Sequence, residues 1–141
     1  THYDAGNPDS PDPIERLSSR PDAFMPCYAV VSLCQYTHIG SRNSLLGAHA
    51  NEMPFVRFFS AEQNVTPDTP PAFIWHTSTD EAVPVENSLL LATALAKNAV
   101  PFELHIFPIG RHGLGLAEEY ADVRKWAELC QAWLCGQGFG K

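Results

Sequence analysis

The sequence predicts an α/β fold in which helices flank a parallel sheet, and three observations carry that prediction. Strand-length runs occur at Phe24–Leu33, Ala72–His76 and Phe102–Phe107, the first two continuously apolar as expected of buried strands in a parallel sheet. Helical periodicity fills Val85–Asn98 and Asp122–Leu134. From Ala72 onward the connections are short, which gives the strand, helix, strand, helix order of βαβ units.

Taken in order, residues 1–22 are rich in Pro, Asp and Ser (Pro8, Pro11, Pro13, Pro21) and read as an irregular surface segment. The Phe24–Leu33 strand follows, with Pro26 expected near its start because proline lacks the ladder donor. Residues 35–71 form a long, weakly patterned excursion. A helical turn is expected at Ser44–Gly47, and a short helix at Pro54–Ala61 carrying Phe55, Phe58 and Phe59. Long excursions in compact domains are often functional, so 35–71 is read either as a cap facing substrate or as a packing excursion with three core phenylalanines. Pro70-Pro71 stops any helix before the Ala72–His76 strand. Pro84 suits the first turn of the next helix, whose buried face is expected to carry Val85, Leu89, Ala92 and Leu95 or Ala96. The last helix should bury Val123, Trp126, Ala127, Cys130 and Trp133, and residues 136–141 should fray.

Composition bounds the function classes. With 45% hydrophobic and 11% aromatic residues the chain has enough apolar surface to build a core. A net charge of −7 without any Lys/Arg cluster argues against nucleic acid or an anionic membrane surface as partner, and no apolar stretch has the length of a membrane span. Cys27, Cys34, Cys130 and Cys135 show no C-x-x-C spacing and read as buried free thiols, so no metal is expected. Asn64-Val65-Thr66 fits a glycosylation sequon, a short pattern that carries little weight.

The chemistry-bearing pattern is Asp80 just past one predicted strand and His112, inside Gly110-Arg111-His112-Gly113-Leu114-Gly115, just past the next. In open parallel sheets functional groups gather at the carboxyl ends of strands. The interval of 32 residues leaves room for one helix and one strand, so an acid and a histidine can meet there as two members of a Ser-His-Asp triad. Each residue also has a plain structural explanation. Asp80 is placed to cap the helix at Pro84, and His112 to sit in a glycine turn. Their order and their shared location at strand ends favour the catalytic reading. The other strand and excursion histidines, His38, His49, His76 and His105, read as satisfied structural groups. The glycine pattern reverses the dinucleotide fingerprint and follows the wrong elements, so no cofactor is expected.

Triads of this order place the serine in a G-x-S-x-G elbow upstream of the acid, and none surrounds Gly6, Gly40 or Gly47. A single α/β domain of this type runs to about 200–250 residues, against 141 here. The expectation is that residues 1–141 are the C-terminal part of a single domain whose nucleophile lies in another segment or a separate chain.

The motifs Asp68–Phe73, Trp75–Asp80, Val83-Pro84-Val85-Glu86-Asn87-Ser88 and Phe102–His105 through Gly110–Gly113 resemble the C-terminal half of bacterial α/β-hydrolase esterases. Among these the pattern is similar to acetyl esterases and to acetylxylan and feruloyl-type carbohydrate esterases, over roughly Pro21–Leu134. The resemblance implies a serine esterase in which Asp80 and His112 are the triad acid and base. It also implies a small ester or acylated saccharide as substrate, and it makes residues 1–4 the end of the helix that follows the serine elbow. A serine peptidase of the prolyl oligopeptidase type, sharing fold and triad order, and a non-catalytic module of the same fold are the alternatives. Self-association through an unpaired sheet edge is a further expectation. The cytoplasm is the favoured compartment, with secretion as the alternative.

Overall fold

The computed structural model describes residues 1–140. Its centre is a parallel pair of strands, β1 (Ala72–Thr77) and β2 (Phe102–Phe107), aligned from Ala72 opposite Phe102 to Thr77 opposite Phe107. The right-handed βαβ route between parallel strands needs a crossover helix, here α3 (Glu86–Lys97). The helices preceding it in the chain are α1 (Ile39–Leu46) and α2 (Met53–Phe58), and the last is α4 (Trp126–Gly136), entered through a 3₁₀ turn at Val123–Lys125.

All six residues of β1 are buried, which explains its unbroken apolar run. Alternate side chains enter different cores: Ala72 and Ile74 pack with Leu91, Ala92 and Leu95 of α3, while Phe73 and Trp75 pack with Cys130 and Trp133 of α4. Trp75 also stacks on Trp126, with ring centroids 5.1 Å apart.

The predicted strand at Phe24–Leu33 does not form as one element. It pairs with β1 only as isolated bridges, Phe24 with Ala72 and Cys27 with Trp75. Two causes are visible. Pro26 lies within the pairing rather than at its start, and it has no N–H to give the Phe73 carbonyl that a parallel ladder would set against it, although its own carbonyl accepts from Trp75 N at 3.3 Å. Tyr28 then adopts φ 40°, which ends the extended run. Beyond it the backbone bonds to side chains. Asn87 Oδ1 accepts from Val31 N and Ser32 N at 2.9 and 3.0 Å, and Ser60 Oγ accepts from Leu33 N at 3.0 Å.

The same Asn87 explains a second difference, in α3. The buried face of this helix is Asn87, Ser88, Leu91, Ala92 and Leu95, whereas Leu89, expected inside, is 45% exposed. Two polar residues occupy the buried face because each is hydrogen-bonded there, Ser88 to His76 and Asn87 also donating to the carbonyls of Tyr36 and Pro84. In the last helix Val123, Cys130 and Trp133 are buried and Trp126 is half-buried, its indole donating to the Gly115 carbonyl at 3.1 Å.

Residues 1–22 contain no helix or strand, so residues 1–4 do not end a helix. They lie instead against the excursion, with the His2 ring stacked on Phe58 at 4.1 Å and Tyr3 Oη donating to the Asp68 carbonyl. Within 35–71 the helix expected from Pro54 starts at Met53 and stops at Phe58, after which the side chain of Asn64 donates to the carbonyls of Arg57, Phe58 and Ser60. Asn64 is thus engaged as a helix-end cap. Phe55, Phe58 and Phe59 are all more than a third exposed and therefore are not core residues. Of the cysteines only Cys130 is buried, and Cys135 is exposed. No helix is long and apolar enough to cross a membrane, and no cluster of three metal-ligating side chains occurs, among the described residues.

Candidate active site

The loops after β1 and β2 meet. Ser78 N donates to the Phe107 carbonyl at 2.8 Å and Ser78 Oγ to that of Pro108 at 2.7 Å, so the two strand ends leave the sheet joined. The Gly110 carbonyl accepts from the hydroxyls of both Thr77 and Thr79, at 2.9 and 3.1 Å, while Gly110 N donates back to Thr79 Oγ1 at 2.9 Å. Gly110 is needed for this approach on steric grounds, since a Cβ there would sit 2.7 Å from Thr77 Cγ2 and 2.8 Å from Leu114 Cδ1. Gly113 and Gly115, at φ 73° and 57°, turn the chain after the histidine.

These joints deliver His112 to Asp80, with Nδ1 donating to Oδ2 over 2.7 Å. The Asp80 carboxylate is fully enclosed, and Oδ1 accepts from the amides of Ala82 and Val83, each at 2.9 Å. Burial on its own pushes this carboxyl up. The Val83 amide, His112 and the Ala82 amide outweigh it and leave the group below the ordinary carboxylate value, hence ionised. The structural role considered for Asp80 is present, because its bonds from the Ala82 and Val83 amides order the turn leading into α3. His112 is 38% exposed at its side chain, and its Nε2 has no hydrogen-bond partner among the described residues. The ring faces an open cleft of about 650 Å³ lined by Thr79, Glu81, Ile109, Arg111 and Tyr120.

Two residues outside the sequence pattern complete the surroundings. Tyr28 sets its ring edge-on to both Trp75 and His112, with centroids 4.8 and 5.1 Å away, and its hydroxyl accepts from Gly115 N. Lying inside an apolar run, it gave no periodic signal. His76, in β1 and completely buried, places Nε2 2.9 Å from the Val83 carbonyl and 3.3 Å from Asp80 Oδ2, with Nδ1 2.8 Å from Ser88 Oγ. It is a satisfied structural histidine as expected, but one built against the acid. The other histidines have separate partners: His38 caps α1 by accepting from Ser41 N, His49 pairs with Glu52 and His105 with Glu103.

Comparison with known proteins agrees with this arrangement of strands and loops. The model of the prolyl oligopeptidase family matches residues 23–137. Endo-1,4-beta-xylanase B of Butyrivibrio fibrisolvens is 41% identical over 118 residues, which is 84% of this chain and 18% of that protein. The solved acetyl ester-xyloside bifunctional hydrolase from Caldicellulosiruptor lactoaceticus is 50% identical with a TM-score of 0.95, over 100% of this chain and 52% of that one. A carboxylesterase from Lactobacillus plantarum WCFS1 is 31% identical with a TM-score of 0.71, over 84% of this chain and 46% of that one. The chain thus spans about half the length of these solved relatives and a smaller share of the xylanase. With its parallel strands, flanking helices and acid and histidine loops, the chain has the α/β-hydrolase fold and belongs to the prolyl oligopeptidase family.

Proposed function

We propose that this chain supplies the acid and the base of a serine esterase of the carboxylesterase and carbohydrate esterase type, with Asp80 as acid and His112 as base. The observation that carries the reading is the 2.7 Å bond from His112 Nδ1 to a buried, ionised Asp80, with Nε2 left unpartnered beside an open cleft. Nδ1 must be the protonated nitrogen, because a carboxylate only accepts. Nε2 therefore carries the lone pair that takes a proton.

The serine comes from residues other than these. Its hydroxyl proton passes to His112 Nε2 as the oxygen attacks the ester carbonyl, and Asp80 stabilises the resulting imidazolium. The imidazolium then protonates the leaving alkoxide, releasing the alcohol. Water repeats the sequence on the acyl-enzyme, restoring the serine and releasing the acid. The oxyanion is stabilised by amide donors near that serine. No step requires a cofactor or a metal.

The substrate class proposed is a small ester or an acylated saccharide. The family name favours the peptidase alternative, while the relatives at 50% and 31% identity, described as an acetyl ester-xyloside hydrolase and a carboxylesterase, favour the ester. The deciding experiment uses this chain together with the portion bearing the nucleophile. Intact mass defines the sample, and p-nitrophenyl acetate, an acetylated xylo-oligosaccharide and a proline-containing peptide amide are offered in parallel. Ester turnover abolished by a serine-reactive phosphonate is expected; peptide cleavage without ester turnover, or turnover untouched by the phosphonate, sinks the reading.

A further inference from the structure

We propose that His76 is a positioning residue for the reaction, holding Asp80 Oδ2 against His112 as a neutral donor whose tautomer is set by Ser88. This rests on the esterase reading for its catalytic consequence, though not for its geometry. The groups around the ring leave one consistent assignment of protons. Nε2 faces two acceptors, the Val83 carbonyl at 2.9 Å and Asp80 Oδ2 at 3.3 Å, so Nε2 carries a proton. The ring is completely enclosed, which disfavours a second proton. Nδ1 therefore accepts, and Ser88 Oγ, 2.8 Å away, donates to it.

The placement of the three residues makes this a device rather than a coincidence of packing. His76 extends from β1, Asp80 from the loop that follows, and Ser88 from the first turns of α3, so the chain reverses to bring both ends of the ring to partners it controls. The Ala82 and Val83 amides hold Oδ1 at one side of the planar carboxylate, and His76 Nε2 lies 3.3 Å from Oδ2 at the other. The Nε2 proton is bonded to the Val83 carbonyl, and its edge-on approach to Oδ2 is a second, longer electrostatic contact that supports the carboxylate in its line to His112. Val83 serves both residues at once, its N–H on Asp80 Oδ1 and its carbonyl on His76 Nε2, which ties the ring and the carboxylate to the same residue.

Neutrality matters as much as position. A cationic group there would share the negative charge of Asp80, which the imidazolium of His112 needs in full. A neutral donor restrains the carboxylate and leaves that charge available. Burial lowers the His76 pKa first; the Val83 carbonyl and Asp80 oppose this without overcoming it.

The test reads His112 directly. In the protein with its nucleophile-bearing portion, the imidazole nitrogens are followed by ¹⁵N NMR across pH in wild type, His76→Leu, His76→Gln and Ser88→Ala. The charged and titratable groups around His112 are Asp80, His76, Tyr28, Glu81, Tyr120 and the Arg111–Glu119 pair, whose guanidinium also donates to the His112 carbonyl. None but His76 is altered. Expected are a fall in the His112 titration in His76→Leu, a smaller fall in Ser88→Ala, and recovery toward wild type in His76→Gln, whose amide nitrogen reaches the Nε2 position. In the ester assay kcat should fall about tenfold or more in His76→Leu with KM unchanged.

A His112 titration unmoved or raised in folded His76→Leu overturns the proposal, since the first makes His76 mere packing and the second makes it a competitor for the carboxylate. Should His76→Leu fail to fold, Ser88→Ala decides alone by the same criterion. Loss of the catalytic reading is recognised separately, because His112→Ala would then retain ester turnover while the NMR shifts still report on the coupling.

Discussion

At the scale of single residues, the site is defined by which atoms are already occupied. Oδ1 of Asp80 is held by two backbone amides and Oδ2 receives His112. In Asp80→Asn the side-chain oxygen should keep the amides, turning the NH₂ toward His112 Nδ1. That nitrogen must then accept, and the proton moves to Nε2, where the base must be empty. Ester turnover is expected to drop about 10⁴-fold with little change in KM, a comparison that steady-state kinetics makes directly. Titration adds a second expectation. The folded pKa of Asp80 lies below 3.8 and that of His76 below 6.5, so in both windows the unfolded chain binds more protons than the folded one. Stability is complete above about 6.5, falls as pH drops below the ordinary imidazole value toward the depressed His76 value, and falls again as Asp80 is protonated below the ordinary carboxylate range. Urea midpoints measured from pH 7 downward should show the first decline in wild type and lack it in His76→Gln. Asp80 and His112 were legible in the sequence because they sit past two recognisable strands. Tyr28 and His76 were not: a tyrosine in an apolar run, or a histidine in a strand, acquires its meaning only from neighbours distant in the chain.

At the scale of elements, β1 and β2 were readable to within a residue, β1 from the continuous apolar run of a strand buried on both faces and β2 from a strand-length run between the Val85–Asn98 helix and the glycine loop. Phe24–Leu33 carries the same run without the element. Its hydrophobicity reports burial, while its pairing was decided by the missing amide of Pro26, the φ of Tyr28 and the side chains of Asn87 and Ser60. Periodicity was equally blind to the inward turn of Asn87 and Ser88 in α3, because it counts polar residues as outward-facing. The joint between the loops after β1 and β2 yields a prediction at this scale. Gly110→Ala puts a methyl into Thr77 and Leu114, and should cost about 1–3 kcal/mol in denaturant unfolding. Ester turnover should fall with it, since the displaced loop carries His112. A variant of unchanged stability and activity would show that the loops are not clasped as described.

For the whole molecule, the sheet is narrow. β1 lies between β2 on one side and the interrupted pairing of Phe24–Cys27 on the other, and no further strand flanks either neighbour among the described residues. Large apolar side chains, Ile14, Leu17, Ile109 and Leu116 among them, are each more than 60% exposed. Unpaired strand edges and uncovered apolar groups promote association, so the 141 residues prepared alone should self-associate in sedimentation equilibrium, or bind the portion that carries the nucleophile. A stable, soluble monomer would falsify this.

The clasp at Gly110 has a mechanical meaning for such a reunion. Thr77, Ser78 and Thr79 tie the acid loop to the histidine loop at four points on the backbone, so Asp80 and His112 travel as one rigid jaw and cannot drift apart separately. On the proposed reading, a serine then has to be placed only against Nε2, the acid and base being already set relative to each other. Under the proposed esterase reading, adding the nucleophile-bearing portion should restore turnover without rearrangement on this side, so the kinetics of regained turnover should follow the kinetics of docking.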